Sequence, residues 1–147
     1  MGKFSLDISA FVKKAKGSAD AVVRKVVLDV GARIVERSPV GDGSLWKNPP
    51  PKGYIGGRFR ANWQASEGTS PSGDLPDIDP TGSASNERIA AAIPINAAGG
   101  KYFLANNLPY AERLETGWSK QAPAGMVGLV VEEFTSIVDD AVQAVKQ

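Results

Sequence analysis

KYFLANNLPYAERLETGWSKQAPAGM, residues Lys101–Met126, is the stretch whose reading decides the fold. Its opening, Tyr102 to Asn106, is a short aromatic and apolar run of the kind that suits a strand. Pro109 then fixes a turn. Tyr110, Leu114 and Trp118 follow at steps of four, which puts Tyr110 and Leu114 on one side of a short helical turn. Gly117 can close that turn in the left-handed conformation, which a residue with a Cβ adopts only at a cost. The following residues Ser119, Lys120 and Gln121 are too polar for a core. Pro123 suits the first turn of a further helix, where a missing N–H is no loss.

Working outward, a helix is predicted on each side of this stretch. C-terminally, Val127, Val130, Val131, Phe134, Ile137, Val138, Ala141 and Val145 form one apolar stripe, predicting a helix from Pro123 or Met126 towards Ala144. Glu132, Glu133, Asp139 and Asp140 fall mostly on its outer side. At the other end of the chain, Asp7 to Arg37 is the longest periodic segment. Ile8, Phe11, Val12, Ala15, Ala19, Val22, Val23, Val26, Val27, Val30 and Ile34 recur at helical steps. Gly17-Ser18 is its weak point, so the helix proper is expected after it. Its valines are poor helix formers, so tertiary packing has to hold it. Ser38-Pro39 ends it, because a residue before proline avoids the helical region.

Between these helices, Arg58 to Ser66 alternates Phe59, Ala61, Trp63 and Ala65 with Arg58, Arg60, Asn62 and Gln64. That pattern predicts a strand with one apolar and one polar, cationic face. Ser85 or Asn86 can cap a short helix over Glu87 to Ala92, and a strand near Ile89 to Ile95 is the alternative. Two segments read as loops. Pro39 to Gly57 holds several prolines and glycines with Trp46 and Tyr54, which either fold back onto the core or pack on a neighbouring subunit. Glu67 to Ser85 is rich in Gly, Ser, Pro and Asp and is expected to be flexible until assembly orders it. The predicted fold is α+β in one domain over residues 1–147. A small, mostly antiparallel sheet is covered by a long N-terminal helix and a C-terminal helix. Its strands lie near Arg58 to Ser66 and Tyr102 to Asn106, with one more from the intervening segment.

Composition narrows the function. The 147 residues carry a net charge of +1, too little to draw the whole chain to nucleic acid or acidic membranes. There is no cysteine and no histidine. Thiol chemistry is excluded, and the commonest general base and metal ligand are missing. No apolar run is long enough to span a membrane, and the N-terminus does not read as a secretory signal, so synthesis in the cytoplasm is the expectation. Glu112 and Glu115 could form a carboxylate pair, but a solvated helix face explains them better. Asp77 and Asp79 lack the rest of a calcium loop. No enzyme, cofactor or metal is expected.

Three segments, in order along the chain, resemble a tailed-phage neck protein family whose members act as tail-completion or head–tail joining proteins. They are Ser38-Pro39-Val40; Gly57-Arg58-Phe59-Arg60-Ala61-Asn62-Trp63; and Asn107 to Ala111 with Leu114 to Ser119 and Gln121 to Met126. The chain departs from the family at Ser44 to Ile55, where the family passes quickly between the first two motifs. The resemblance implies a structural virion protein made in the host cytoplasm. It implies a ring of this chain, sixfold, in the neck between head-closure proteins and the tail-terminator or tail-tube proteins, with DNA passing through the lumen without sequence specificity. Aromatic anchors with polar surrounds mark such contacts. The candidate contact residues are Trp46, Tyr54, Arg58, Arg60, Tyr110, Glu115, Trp118, Ser119, Lys120 and Gln121, with Trp118 also readable as a core residue between sheet and helix. A second class, a small nucleic-acid-binding regulator, rests on the basic N-terminal helix with Lys13, Lys14, Lys16, Arg24, Lys25, Arg33 and Arg37.

Overall fold

The computed structural model describes residues 3–6 and 19–146. The expected helical positions from Asp7 to Ser18 lie outside the described residues. The fold is α+β. Three strands, β1 (Lys3–Leu6), β2 (Trp63–Glu67) and β3 (Tyr102–Asn106), form an antiparallel sheet in the order β1-β3-β2. The helices are α1 (Ala19–Arg37), α2 (Arg58–Ala61), α3 (Ser83–Ala92), α4 (Ala111–Glu115), α5 (Val127–Glu132) and α6 (Phe134–Lys146).

β3 is the central strand, as its apolar sequence requires: Tyr102, Leu104, Ala105 and Asn106 are all buried. It pairs Leu104 with Ala65 on one side and with Phe4 on the other. The third strand therefore comes from the N-terminus, and the expectation that the segment between β2 and β3 supplies it is corrected. That segment folds as α3 instead, settling the choice between helix and strand there. Helix α3 starts a turn earlier than expected, and neither Ser85 nor Asn86 caps it. The buried Asp79 carboxylate does so, accepting from Gly82 N (3.1 Å), Ser85 N (2.8 Å) and Ser85 Oγ (2.7 Å). Burial raises its pKa, but these hydrogen bonds with Thr81 Oγ1 outweigh it and hold the carboxyl below its ordinary value.

The valines of α1 are the core. Val22, Val23, Val26, Val27, Val30, Ile34 and Val35 are buried against α3, α6 and the sheet. Burial of this stripe overrides their weak helix propensity. The helix ends at Arg37, before Ser38-Pro39, and Ser38 becomes a buried joint. Its Oγ donates to Ile34 O (2.7 Å) and accepts from Trp63 Nε1 (2.7 Å).

The strand expected over Arg58 to Ser66 is only half present. Arg58–Ala61 is a helical turn, closed by Ala61 N donating to Gly57 O (2.9 Å), and the strand begins at Trp63. Phe59 and Trp63 are four apart, a spacing that satisfies both a strand face and a helix face, so alternation alone could not separate them. Their rings meet edge to face, 5.9 Å apart. The expected polar face is interrupted too. Asn62 is fully buried: its Nδ2 donates to Leu75 O (3.1 Å) and its Oδ1 accepts from Leu75 N (2.7 Å).

The C-terminal helix is interrupted at Glu133 and starts at Val127, so Pro123 belongs to the preceding turn. Glu133 is not on an outer face. Its carboxylate takes Arg37 Nη2 at 2.5 Å and Arg33 Nη1 at 3.3 Å, tying the break to α1. Residues 68–82 have no regular structure but are fastened to the sheet side. Besides Asn62, Gln64 Nε2 donates to Gly73 O (2.9 Å), and Asn107 Nδ2 donates to the carbonyls of Pro71 and Gly73.

Candidate interaction surface

Two segments far apart in the chain meet beyond the C-terminal end of α1. The first is the excursion from Gly41 to Gly56, an Ω-shaped loop whose ends touch. A Cβ built on Gly56 would overlap the Gly41 carbonyl and lie 3.0 Å from the Gly41 nitrogen, so only glycine allows this closure. Inside the loop, Asp42 caps a 3-10 turn over Gly43–Leu45, accepting from Ser44 N (3.0 Å) and Ser44 Oγ (2.6 Å). The Ser44 hydroxyl and N–H hold the Asp42 carboxyl below its ordinary pKa. Trp46 then packs on Tyr54, ring centroids 4.7 Å apart.

The second segment follows α4. Gly117 has φ +94, and Trp118 N reaches back to Arg113 O (3.2 Å), closing the helical turn as its sequence predicts. Trp118 thereby leaves the fold: it is 72% exposed, with the Arg113 guanidinium 5.1 Å from its ring centroid. Of its two readings, the core one is excluded. Gln121 joins the segments. Its Nε2 donates to Val40 O (2.8 Å) and its Oε1 accepts from Val40 N (3.0 Å), a two-point clamp on the backbone at the loop base.

Between the segments lies an open cleft of about 840 Å³. Trp46, Tyr54, Arg58, Tyr110, Trp118, Ser119, Lys120 and Gln121, all picked from the sequence, line it together. Leu45, 79% exposed, Leu114 and the edge of Phe59 add apolar surface that the sequence reading missed. Leu45 sits directly before Trp46, and the Asp42-Gly-Ser44 turn was the signal that it would be turned outward. Trp46 and Tyr54 do not fold back onto the core; they are part-exposed and pack on each other. Burial in the cleft wall pushes the Tyr110 phenol up, against the Arg58 charge, so it stays neutral at physiological pH.

Two candidates fall elsewhere. Arg60 is used internally: its guanidinium donates to Pro80 O (2.7 Å), Ser38 O (2.7 Å) and Glu36 O (3.0 Å), binding the end of α1 to the loop before α3. Glu115 turns away and caps α5, accepting from Met126 N (3.1 Å), Val127 N (2.9 Å) and Gly128 N (3.0 Å). That role also accounts for one of the two carboxylates three residues apart. Arg58 reaches the cleft but is shared with Asp74 at 2.6 Å.

Among the described residues, no group of three or more His, Cys, Asp or Glu side chains is placed to hold a metal ion, and no helix is long and apolar enough to cross a membrane. Comparison with protein-family models, with characterised proteins and with solved structures finds no match for the chain.

Proposed function

We propose that this chain is a structural virion protein of a tailed phage, one subunit of a neck ring that joins head to tail and lets DNA pass through its lumen. The observation that carries the reading is the cleft. Four partly or largely exposed aromatic side chains, Trp46, Tyr54, Tyr110 and Trp118, converge from two segments, each closed by its own hydrogen-bonded turn. Exposed aromatics on a preorganised frame are the make-up of a protein–protein hot spot, where little conformational freedom remains to be lost on binding. The three ordered motifs support the same reading, since residues of all three, among them Val40, Phe59 and Trp118, line this cleft. In a ring, each copy presents two different faces to its neighbours. The ring would meet head-closure proteins on one side and tail-terminator or tail-tube proteins on the other. It would be made in the host cytoplasm and end in the virion neck, with no catalytic step of its own.

The nucleic-acid reading loses its support in the described part of α1. Arg24 donates to Ala90 O (3.0 Å) and Ile93 O (3.3 Å), Lys25 pairs with Asp29 at 3.1 Å, and Arg33 and Arg37 are taken by Glu133. The three arginines fasten the helix to its own fold, and Lys25 is paired within the helix.

The test is Trp118→Ala with Lys120→Glu in a head–tail joining complementation assay. The double variant is expected to keep the wild-type circular dichroism spectrum, because both side chains are exposed, and to join heads to tails poorly. Joining at the wild-type rate by the folded variant sinks the reading.

A further inference from the structure

The loop and wall around the cleft and the C-terminal helices carry exposed side chains of opposite charge. Around the aromatic cleft, Lys120 lines the wall, and Lys47 and Lys52 lie in the loop between Trp46 and Tyr54. All three are exposed, and none has an ion-pair or hydrogen-bond partner among the described residues. Asp42 is the one carboxylate of the described lining and Arg58 is paired with Asp74, so the three lysines outnumber the unpaired carboxylate and leave a local excess of positive charge. The outward face of α5 and α6 is the converse. Glu132, Asp139 and Asp140 are exposed and likewise without a partner among the described residues, and the one cation of α5 and α6 is Lys146 at the end of α6. Val131, 46% exposed, stands beside Glu132 as an apolar point within this acidic face. No residue of α5 or α6 lines the cleft, so the two patches do not overlap. Two separate, complementary patches on one chain are the requirement for head-to-tail association, in which each copy is a donor to one neighbour and an acceptor to the other.

We propose that the occupant of the aromatic cleft is a second copy of this chain, which presents the acidic outer face of α5 and α6 with Val131 towards Trp118 and Lys120. This rests on reading the cleft as a subunit contact and goes further by naming the surface that fills it. The geometry makes the contact directional, and it makes association weaken with salt, because the pairing charges are exposed.

Charge reversal on each face tests it with the full chain. One variant carries Lys47→Glu and Lys120→Glu; the other carries Asp139→Lys and Asp140→Lys. In sedimentation velocity at low salt the wild type is expected to self-associate and to dissociate as salt is raised. Each variant alone sets like charges against each other and is expected to sediment as a monomer. An equimolar mixture restores opposite charges at every junction and is expected to regain association. Trp118→Ala, which changes no charge, is expected to weaken wild-type association at least about tenfold. A wild type that stays monomeric at low salt, a reversed variant that associates like the wild type, or a folded mixture that stays monomeric overturns the proposal. The outcome is separable from the neck reading: association with normal head–tail joining by the Trp118 variant sinks that reading alone, and defective joining without self-association sinks this one alone.

Discussion

Glu115 accepts hydrogen bonds from three successive backbone N–H groups that α5 leaves without an internal partner. No other acceptor among the described residues serves Met126 N or Gly128 N. Glu115→Ala is therefore expected to destabilise the fold by about 1–2 kcal/mol, the usual cost of losing a helix cap. Guanidinium unfolding checks it, the midpoint falling with an unchanged slope. A midpoint equal to the wild type would mean water serves those groups as well as the carboxylate does. The residue also shows why side-chain roles are hard to read along a chain. Glu112 and Glu115 look like a solvated pair because their spacing is helical, while the backbone that Glu115 serves arrives only eleven to thirteen residues later. Arg60 is the same case: a guanidinium on an alternating polar face turns out to collect three carbonyls from two other segments.

At the level of elements, the pairing of α1 with the α5–α6 break depends on an ionised Glu133. The Arg37 hydrogen bond lowers its pKa most, burial opposes this, and the charges of Arg37 and Arg33 lower it further. Asp79 at the start of α3 is also held below its ordinary value. A carboxylate whose folded pKa is depressed adds stability that is complete above its unfolded value and is lost as pH falls through the folded one. The unfolded values are 4.5 for Glu133 and 3.8 for Asp79. The melting temperature is thus expected to be level near neutrality and to fall progressively below these values. Glu133→Gln should melt lower than the wild type near neutrality and lose less on acidification. Thermal scans across pH check both, and parallel wild-type and variant curves would exclude Glu133 as a contributor. What was legible at this scale followed the strength of the periodic signal. The valine stripe of α1 and the apolar run of β3 were plain, since each is long or dense enough to have one solution. Arg58 to Ser66 was not, because a four-residue spacing fits helix and strand alike. β1 was not, since the alternation in Lys3–Leu6 spans only four residues and becomes a strand through the edge that β3 offers.

For the molecule as a whole, the sequence placed most of the cleft residues but not the cleft. Trp46 and Tyr54 could be read as aromatics folding back onto the core or packing on a neighbour, and Trp118 as a large side chain between a glycine and a polar run. That all three face one opening follows from long-range contacts, chiefly the Gln121 clamp on Val40 across 81 positions. The site is assembled by the fold from segments far apart in the chain, while the frame of helices and strands is set largely by local pattern.

The closure of the chain upon itself at Gly41 and Gly56 has a consequence for how such a protein can change. Because the two backbones already touch, everything between them is a detachable cartridge, hung from the frame at one point. Excising residues 42–55 and joining Gly41 to Gly56 through a short glycine link is expected to leave the melting temperature within a few degrees of the wild type, while removing Leu45, Trp46 and Tyr54 from the cleft. Loop length enters the free energy only logarithmically, so the frame is nearly indifferent to what the cartridge holds. Calorimetry of the excised chain decides it; cooperative unfolding lost altogether would show that the loop is part of the frame. If the frame stands, partner choice can drift, lengthen or be exchanged at this single hinge point, while the valine core that keeps the protein folded never registers the difference.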